Sequence, residues 1–203
     1  NLFGNNTFVT LRNYKGTTAL LRGFVQWQHK FTDNFLINVG VSDQFFLLNN
    51  SNAIEPRAGL KYSINSKQSL SIGGGMHSQL QPIYIYFATD SLNGKRVETN
   101  RALDFTRATH AVIAYDNSFA TNFRLKAELY YQYIYNAPVQ NFPSYFSALN
   151  LGADFNSPNV NNLVSKGTGE NYGIELTLEK FYSKGYYILF TSSLFESKYK
   201  GSD

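Results

Sequence analysis

The sequence of 203 residues has no cysteine, only five prolines and few charged residues, which make up 16% of the chain. Without cysteine, a disulfide scaffold, thiolate metal ligands and a cysteine nucleophile are excluded. No run of about 18 consecutive apolar residues is present, so we expect no helix that crosses a bilayer. Aromatic residues also make up 16%, which excludes a disordered chain, because that class is poor in aromatics. The net charge of +4 is modest, and the Lys and Arg residues are scattered along the chain, so the sequence does not favour a nucleic-acid partner.

Alternation of apolar and polar residues, the period of a β-strand, dominates the sequence. It is clearest in residues 168–180, where Tyr172, Ile174, Leu176 and Leu178 alternate with polar residues and glycine. We trace eight such segments and no convincing helix. The segments are residues 17–31, 35–48, 54–64, 69–79, 106–115, 124–135, 168–180 and 186–199.

The connections between these segments alternate in length. The short ones carry turn-forming residues, and they cover residues 32–34, 65–67, 116–122 and 181–185. The others cover residues 49–52, 80–105 and 136–167, and the last two are far longer than usual strand connections. Soluble sandwiches have turns at regular spacing, whereas outer-membrane barrels have short turns at one end and long external loops at the other. The pattern favours the barrel.

The two faces of the predicted strands differ in polarity. One face is apolar and is predicted to contact hydrocarbon through Leu60, Ile72, Ile113, Leu129, Ile174, Leu176 and Ile188. The other is predicted to line the lumen through Arg22, Gln26, Gln28, Asn38, Gln44, Arg57, Lys61, His77, Gln79, Lys126, Glu128, Gln132, Glu175 and Glu179. Aromatic residues gather near both ends, as in interfacial belts. They are Trp27, Phe31, Tyr62, Tyr115, Phe119, Phe123, Phe181 and Tyr182 near the short turns, and Tyr84, Tyr86, Phe87, Tyr133, Tyr135 and Tyr199 near the long connections.

Glycines on the lumen face indicate the size of the barrel. A narrow barrel must fill its interior with side chains, and glycine has none, so these residues favour a wide barrel. Both ends of the sequence look like cuts inside a longer protein. We therefore expect residues 1–203 to be part of a single all-β, antiparallel up-and-down transmembrane β-barrel domain without a plug domain. About eight strands of a larger barrel of about 22 would be present. The alternative is a complete eight-stranded barrel with a structural or adhesion role.

Catalytic and metal sites are not predicted. Glu175 and Glu179 share a face, but four strand residues span about 13 Å, beyond the reach of a glycosidase carboxylate pair. They are interpreted as lumen charges, with Arg124 and Lys126 at the depth of Glu179 if the sixth and seventh strands pair. The three histidines lie on separate strands without a carboxylate spaced as a ligand set, and His77, which is predicted to face the lumen, is the only one of them retained as a candidate. An outer-membrane lipase or protease would need a catalytic set that the sequence does not offer.

Ligand recognition is predicted in the long connections and on the lumen face, because aromatic platforms and polar side chains suit sugars, peptides or chelates. The alternative is that the loop aromatics, which include Phe142 and Phe155, only pack the loops together. The candidate ligand-binding residues are Arg57, His77, Gln79, Tyr84, Tyr86, Arg101, Tyr145 and Phe146.

Residues 167–180, of sequence GTGENYGIELTLEK, followed by KGYY at 184–187 and SLFESKYKGSD at 193–203, resemble the barrel of TonB-dependent receptors. The likeness is greatest to the Bacteroidetes type, which often carries a carboxypeptidase-like regulatory domain. Residues 54–60 followed by 70–81 resemble a further barrel hairpin of that family, and so do residues 128–132 with 136–139, whereas residues 1–52 fit only by pattern. The resemblance implies energy-coupled import of a scarce solute (a siderophore, oligosaccharide or peptide) across the bacterial outer membrane. It also implies as partners the outer-membrane lipid, a plug domain, the remaining barrel strands and an inner-membrane TonB-type energy coupler, with no cofactor and no enzymatic activity.

Overall fold

A computed structural model describes residues 14–92, 95–151 and 160–202. Eight long strands form one antiparallel sheet in the order β1-β2-β3-β4-β7-β8-β9-β10, and a two-stranded hairpin, β5-β6, stands apart. The long strands are β1 (Leu20–Lys30), β2 (Phe35–Phe46), β3 (Ser51–Ser63), β4 (Gln68–Gln79), β7 (Thr106–Ala120), β8 (Phe123–Gln140), β9 (Leu163–Ser183) and β10 (Tyr186–Lys200). The eight predicted strands and their antiparallel order are confirmed.

The connections differ from the prediction in their details. The 80–105 connection contains a one-turn helix, α1 (Ile83–Tyr86), and the hairpin of β5 (Thr89–Leu92) and β6 (Lys95–Glu98), so the expectation of a chain without helix is corrected here. A 3-10 turn, η1 (Ala148–Asn150), lies in the second long connection. No helix of the described ranges is long and apolar enough to cross a membrane.

Two of the predicted short turns are tighter than expected, because the strands continue into them. β7 and β8 leave only residues 121–122 between them. β9 and β10 are joined by Lys184 and Gly185, which have φ angles of 53° and 85°. Positive φ at both positions is the geometry of a two-residue hairpin turn that matches the twist of its strands.

The predicted apolar face is visible in a row of directly paired residues that crosses five strands of the sheet. Leu60 pairs with Ile72, Ile72 with Ile113, Ile113 with Leu129, and Leu129 with Ile174. Directly opposed residues of neighbouring strands lie on the same face of a sheet. The predicted division into an apolar and a polar face is therefore confirmed by strand register, and we call these the outward and inward faces.

The rows are staggered relative to the short turns. In the outward row, Ile37 of β2 lies three residues after Asn34, whereas Ile174 of β9 lies ten residues before Lys184. A sheet that closes into a barrel needs tilted strands and such a stagger. The register thus has the form expected of a barrel wall.

The long connections form a small hydrophobic core at the end of the sheet opposite the tight turns. Its buried members are Phe46, Ala53, Ile85, Tyr86, Leu103, Phe105 and Leu163. Asn100 is fully buried between the two connections: its amide donates to the carbonyl oxygens of Ile85 at 3.1 Å and Val160 at 2.9 Å, and its Oδ1 accepts from the Leu163 N–H at 2.9 Å. The two connections therefore pack on each other and on the strand ends.

Candidate functional site

The inward face carries the polar groups that the sequence assigned to the lumen. The row opposite Arg57 shows the arrangement: Arg57 pairs with Gly75, Gly75 with His110, His110 with Gln132, and Gln132 with Asn171. These residues come from five strands that are widely separated in sequence. Strand pairing thus assembles a continuous polar lane across the inward wall.

A carboxylate network lies at the β2 and β3 end of this lane. Glu55 is 5% exposed and accepts hydrogen bonds from Ser42 Oγ at 2.8 Å and from Gln44 Nε2 at 2.5 Å. Arg57 donates to Ser42 Oγ at 2.7 Å, and its guanidinium lies 3.9 Å from the Glu55 carboxylate. A buried charge needs such partners to offset its desolvation. The network holds the guanidinium group of Arg57 while 44% of its side chain stays exposed.

Gly75 allows β3 and β4 to approach each other closely at Arg57. A Cβ atom at Gly75 would be 2.9 Å from both the Arg57 Cβ and the Pro56 carbonyl oxygen, closer than real Cβ atoms approach. At this position the glycine therefore does not leave empty room, as the sequence suggested, but allows the backbone of the neighbouring strand to come close.

Two histidines stack beside this arginine. The rings of His77 and His110 have centroids 4.6 Å apart and planes 9° from parallel. His110, which the sequence analysis did not single out, lies on the same inward face as His77. The stacked pair presents ring nitrogens and flat π surfaces, which suit hydrogen bonding and stacking with a solute.

The polar lane continues as a hydrogen-bonded ladder. Asn171 Nδ2 donates to Gln132 Oε1 at 2.8 Å, and Ser197 Oγ donates to Asn171 Oδ1 at 2.6 Å. Below the ladder lies an open groove of about 420 Å³. The groove is lined by His77, His110, Val112, Glu128, Gln132 and Glu175, among others. Imidazole, carboxylate and amide groups thus line one concavity of the inward wall.

The charges nearer the tight turns are largely paired. Arg124 forms an ion pair with Asp116 and lies 3.7 Å from Glu179, as the prediction for this pair required. Lys126 Nζ is 2.7 Å from Glu128 Oε2. Glu128 stands directly opposite Glu175, where like charges are unfavourable unless a cation or a polar solute lies between them.

The candidates in the long connections divide into buried and exposed groups. Tyr86 is fully buried with its ring centroid 5.3 Å from that of Phe46, and burial raises its pKa to about 12. Tyr84 and Phe146 are partly buried against the same core. Direct contact of Tyr86 with a solute would require the loops to open, whereas Tyr84 and Phe146 keep part of their surface accessible.

Arg101 and Tyr145 remain accessible. The Arg101 guanidinium lies over the Phe87 ring at 5.1 Å and pairs with Glu98 at 3.0 Å, whereas Tyr145 is 89% exposed. Gln79 is exposed at the end of β4. Phe155 lies outside the described residues. The structure thus brings Arg57 and His77 together, and leaves Tyr145 apart from them.

Sequence reasoning missed Glu55, Ser42 and His110. The signal for His110 would have been the pairing of β4 with β7, which sets His77 opposite Ala108 and so one pleat from His110. The aromatic belts are also partly revised, because Tyr199 faces inward and accepts a hydrogen bond from Asn150 Nδ2 at 2.7 Å. Within the described ranges, no group of three or more His, Asp or Glu side chains is arranged to hold a metal ion.

Comparison with known proteins bears on the fold. No protein-family model matches this chain, and a comparison with curated proteins finds no match. Among solved structures, the FrpB iron transporter from Neisseria meningitidis (F3-3 variant) matches 90% of the chain with a TM-score of 0.60 at 15% sequence identity. The RagAB peptide importer in its closed-closed state matches 90% with a TM-score of 0.61 at 12% identity.

The chain spans 27% of the FrpB chain and 22% of the RagAB chain. At such identities the likeness concerns the fold. The fold is that of a segment of an outer-membrane-type antiparallel β-barrel.

Proposed function

We propose that this chain is a section of the barrel of a TonB-dependent outer-membrane receptor that imports a scarce solute. The observation that carries the proposal is the division of one eight-stranded meander into an apolar outward face and a polar inward face. Sheets with these two faces suit a wall between hydrocarbon and an aqueous lumen. The resemblance of residues 167–203 to that family, including the Bacteroidetes type, supports the same assignment.

A section of a wider barrel fits the pairing better than a complete small one. Among the described residues, β1 pairs only with β2, and β10 pairs only with β9. A closed eight-stranded barrel would join its first and last strands. Similarity to structures that are about four times longer also supports this choice over a structural or adhesion barrel. We expect the edges to pair with further strands of the same protein, and a plug domain to close the lumen.

The inward lane and groove are the proposed solute path. Arg57, the His77–His110 pair and Gln132 offer a cation, flat rings and amides along one wall. A siderophore, an oligosaccharide or a peptide can use such groups, and the similar structures are those of an iron transporter and a peptide importer. The energy would come from an inner-membrane TonB-type coupler acting on the plug, and the wall itself performs no chemistry.

Import can be tested in cells with and without the gene for the whole protein. Accumulation of three probes would be followed: radioiron as a ferric siderophore, a labelled maltooligosaccharide and a labelled oligopeptide mixture. We expect one probe to accumulate less in the deleted strain, and a protonophore to abolish that difference in the parent strain. Unchanged accumulation of all three, or a difference that survives the protonophore, would contradict energy-coupled import of these solutes.

A further inference from the structure

The inward groove below the hydrogen-bonded ladder carries different groups at its two ends. The upper end has the stacked imidazoles of His77 and His110 and the amide of Gln132. The lower end has the carboxylates of Glu128 and Glu175, which are directly opposite each other on β8 and β9. Directly opposed side chains have Cβ atoms about 5 Å apart. The lower end therefore brings two like charges together.

Only one of these two carboxylates is neutralised within the described residues. Lys126 Nζ lies 2.7 Å from Glu128 Oε2. Glu175 is exposed and, among the described residues, has no ion pair and no hydrogen bond. The guanidinium of Arg124, lower on the same face, is already paired with two other carboxylates. The lower end of the groove is thus left with one negative charge that a cation would balance.

The cations of β3 are too far away to balance Glu175. Lys61 lies in the same register row as Glu175 but four strands away, which is about 19 Å. Arg57 lies in the row of His110, about 13 Å higher along the wall, and its guanidinium is held by the carboxylate network described above. The unbalanced charge therefore belongs to the part of the wall that β8 and β9 form.

An aromatic ring lines the groove next to its acidic end. Tyr130 lies two residues after Glu128, which corresponds to about 7 Å along the strand. The direct partner of Tyr130 on β9 is Gly173, so no β9 side chain stands opposite the ring. The face of a tyrosine ring attracts ammonium and guanidinium groups. The groove thus combines carboxylates with an aromatic ring, and both kinds of group bind organic cations.

The donor set favours an organic cation over a metal ion. No three His, Asp or Glu side chains of the described ranges are arranged to hold a metal. The amide of Gln132 lies four residues after Glu128, which is about 13 Å along the strand. A solute of that length can place its cation at the carboxylates and its uncharged part beside the amide and imidazole groups.

We propose that the inward groove selects an imported solute by its organic cation, an ammonium or guanidinium group that binds between Glu128, Glu175 and Tyr130. The uncharged part of the solute extends to the upper end of the groove, where amide and imidazole groups donate and accept hydrogen bonds. A basic side chain of a peptide and an amino sugar both present this cation. The inference rests on the solute path proposed above and adds selection by charge to it.

Isothermal titration calorimetry of the whole protein in detergent micelles tests the proposal with two sets of probes. The first set is a blocked glycine–serine pentapeptide whose central residue is lysine, arginine, norleucine or glutamate. The second is a glucosamine trimer and its N-acetylated form. We expect the cationic members of at least one set to bind about tenfold more tightly than the neutral member, because hydrogen bonds to charged groups are the stronger ones. The set that shows this preference identifies the source of the cation.

Three results would overturn the proposal. They are equal binding of charged and neutral members in both sets, tighter binding of the glutamate peptide, and no binding of any probe.

A pair of matched variants locates the site. Glu175→Gln removes the unbalanced charge, and Glu179→Gln makes the same change on the same face of β9 but outside the groove. Glu175→Gln should lower the affinity for the cationic probe about tenfold and leave that for the neutral probe unchanged, whereas Glu179→Gln should keep both. A heat-dependent shift in gel mobility reports that each variant has folded. A preference for the cation that survives Glu175→Gln would refute the site.

Failure of this inference is distinguishable from failure of the proposed function. Accumulation in cells with and without the gene does not depend on which group of the solute enters the groove. A loss of accumulation in the deleted strain, together with equal binding of charged and neutral probes, would overturn only the selection by charge. Accumulation that never depends on the gene would overturn the proposed function, while the titrations still decide whether the groove binds a cation.

Discussion

The imidazole of His77 stacks on that of His110 at a centroid distance of 4.6 Å, although the two residues belong to strands joined through the long 80–105 connection. The contact exists because β4 pairs directly with β7, with Gly75 opposite His110. The wall of the proposed solute path is thus assembled by strand pairing, and local sequence alone does not reveal it.

The assignment of the two faces predicts unequal costs for a charge. Leu129→Arg places a guanidinium on the outward face near the middle of the apolar band and should cost about 2–4 kcal/mol of folding free energy in a bilayer. Gln132→Arg, on the inward face of the same strand, should cost less than about 1 kcal/mol. Denaturant titrations of the whole protein in lipid vesicles measure both. Similar costs at the two positions would contradict the assignment.

The close approach of Arg57 to β4 predicts a sharp difference between two glycines. Gly75→Ala should destabilise the barrel by about 1–3 kcal/mol, because its Cβ would overlap with Arg57 and Pro56. Gly59→Ala is the control, since its Cβ would meet only the Ile72 carbonyl oxygen at 3.9 Å. That change should be neutral or stabilising by up to about 1 kcal/mol. The same titrations measure both variants, and a tolerated Gly75→Ala would contradict the close approach of β3 to Gly75.

Asn100 predicts a local effect on the external loops. Asn100→Ala removes three buried hydrogen bonds and leaves their partners unpaired, which should lower the opening free energy of the loops by about 3 kcal/mol. Hydrogen exchange should accelerate in the two long connections and remain unchanged in the central strands. Asn141→Ala, at an exposed loop position, is the matched control. Uniform acceleration through the sheet would mean that the loop core does not unfold separately.

Burial of Tyr86 predicts an alkaline transition of the same loops. The packed state holds the neutral phenol to a pKa of about 12, whereas the opened state ionises near its ordinary value of 10.0. Stability from this group is therefore complete below the lower value and is lost as pH rises through the upper one. The difference in near-ultraviolet absorbance between the native protein and Tyr86→Phe should report one phenol that titrates near 12. A midpoint near 10 would place Tyr86 in contact with solvent.

Strand positions and facing were predictable because both follow from local alternation. Residues 168–180 gave an unambiguous period of two, and the register of β9 placed Ile174 and Glu175 on opposite faces as expected. The fold of the long connections was not predictable in this way. From the sequence, Tyr86 and Phe146 were predicted to offer aromatic surfaces to a ligand. In the structure they pack in or against a hydrophobic core that is formed by segments distant in the chain.

The polar lane was predictable only in part, for a related reason. Arg57 and His77 could be assigned to a face, whereas their partners Ser42, Glu55 and His110 depend on which strands adjoin and in what register. A one-residue error in register would exchange the faces. Contacts of this kind need the paired sheet and cannot be obtained from periodicity.

The stagger of the sheet gives the polar lane a slope. Arg57 lies seven residues before Ile64, at the start of one tight turn, whereas Ser197, at the other end of the same lane, lies twelve residues after Gly185. Two groups that strand pairing places side by side along the wall are therefore at different heights above the tight turns. A molecule that exchanges partners along this lane must rotate about the barrel axis as it descends, so the wall resembles a screw thread more than a set of rings.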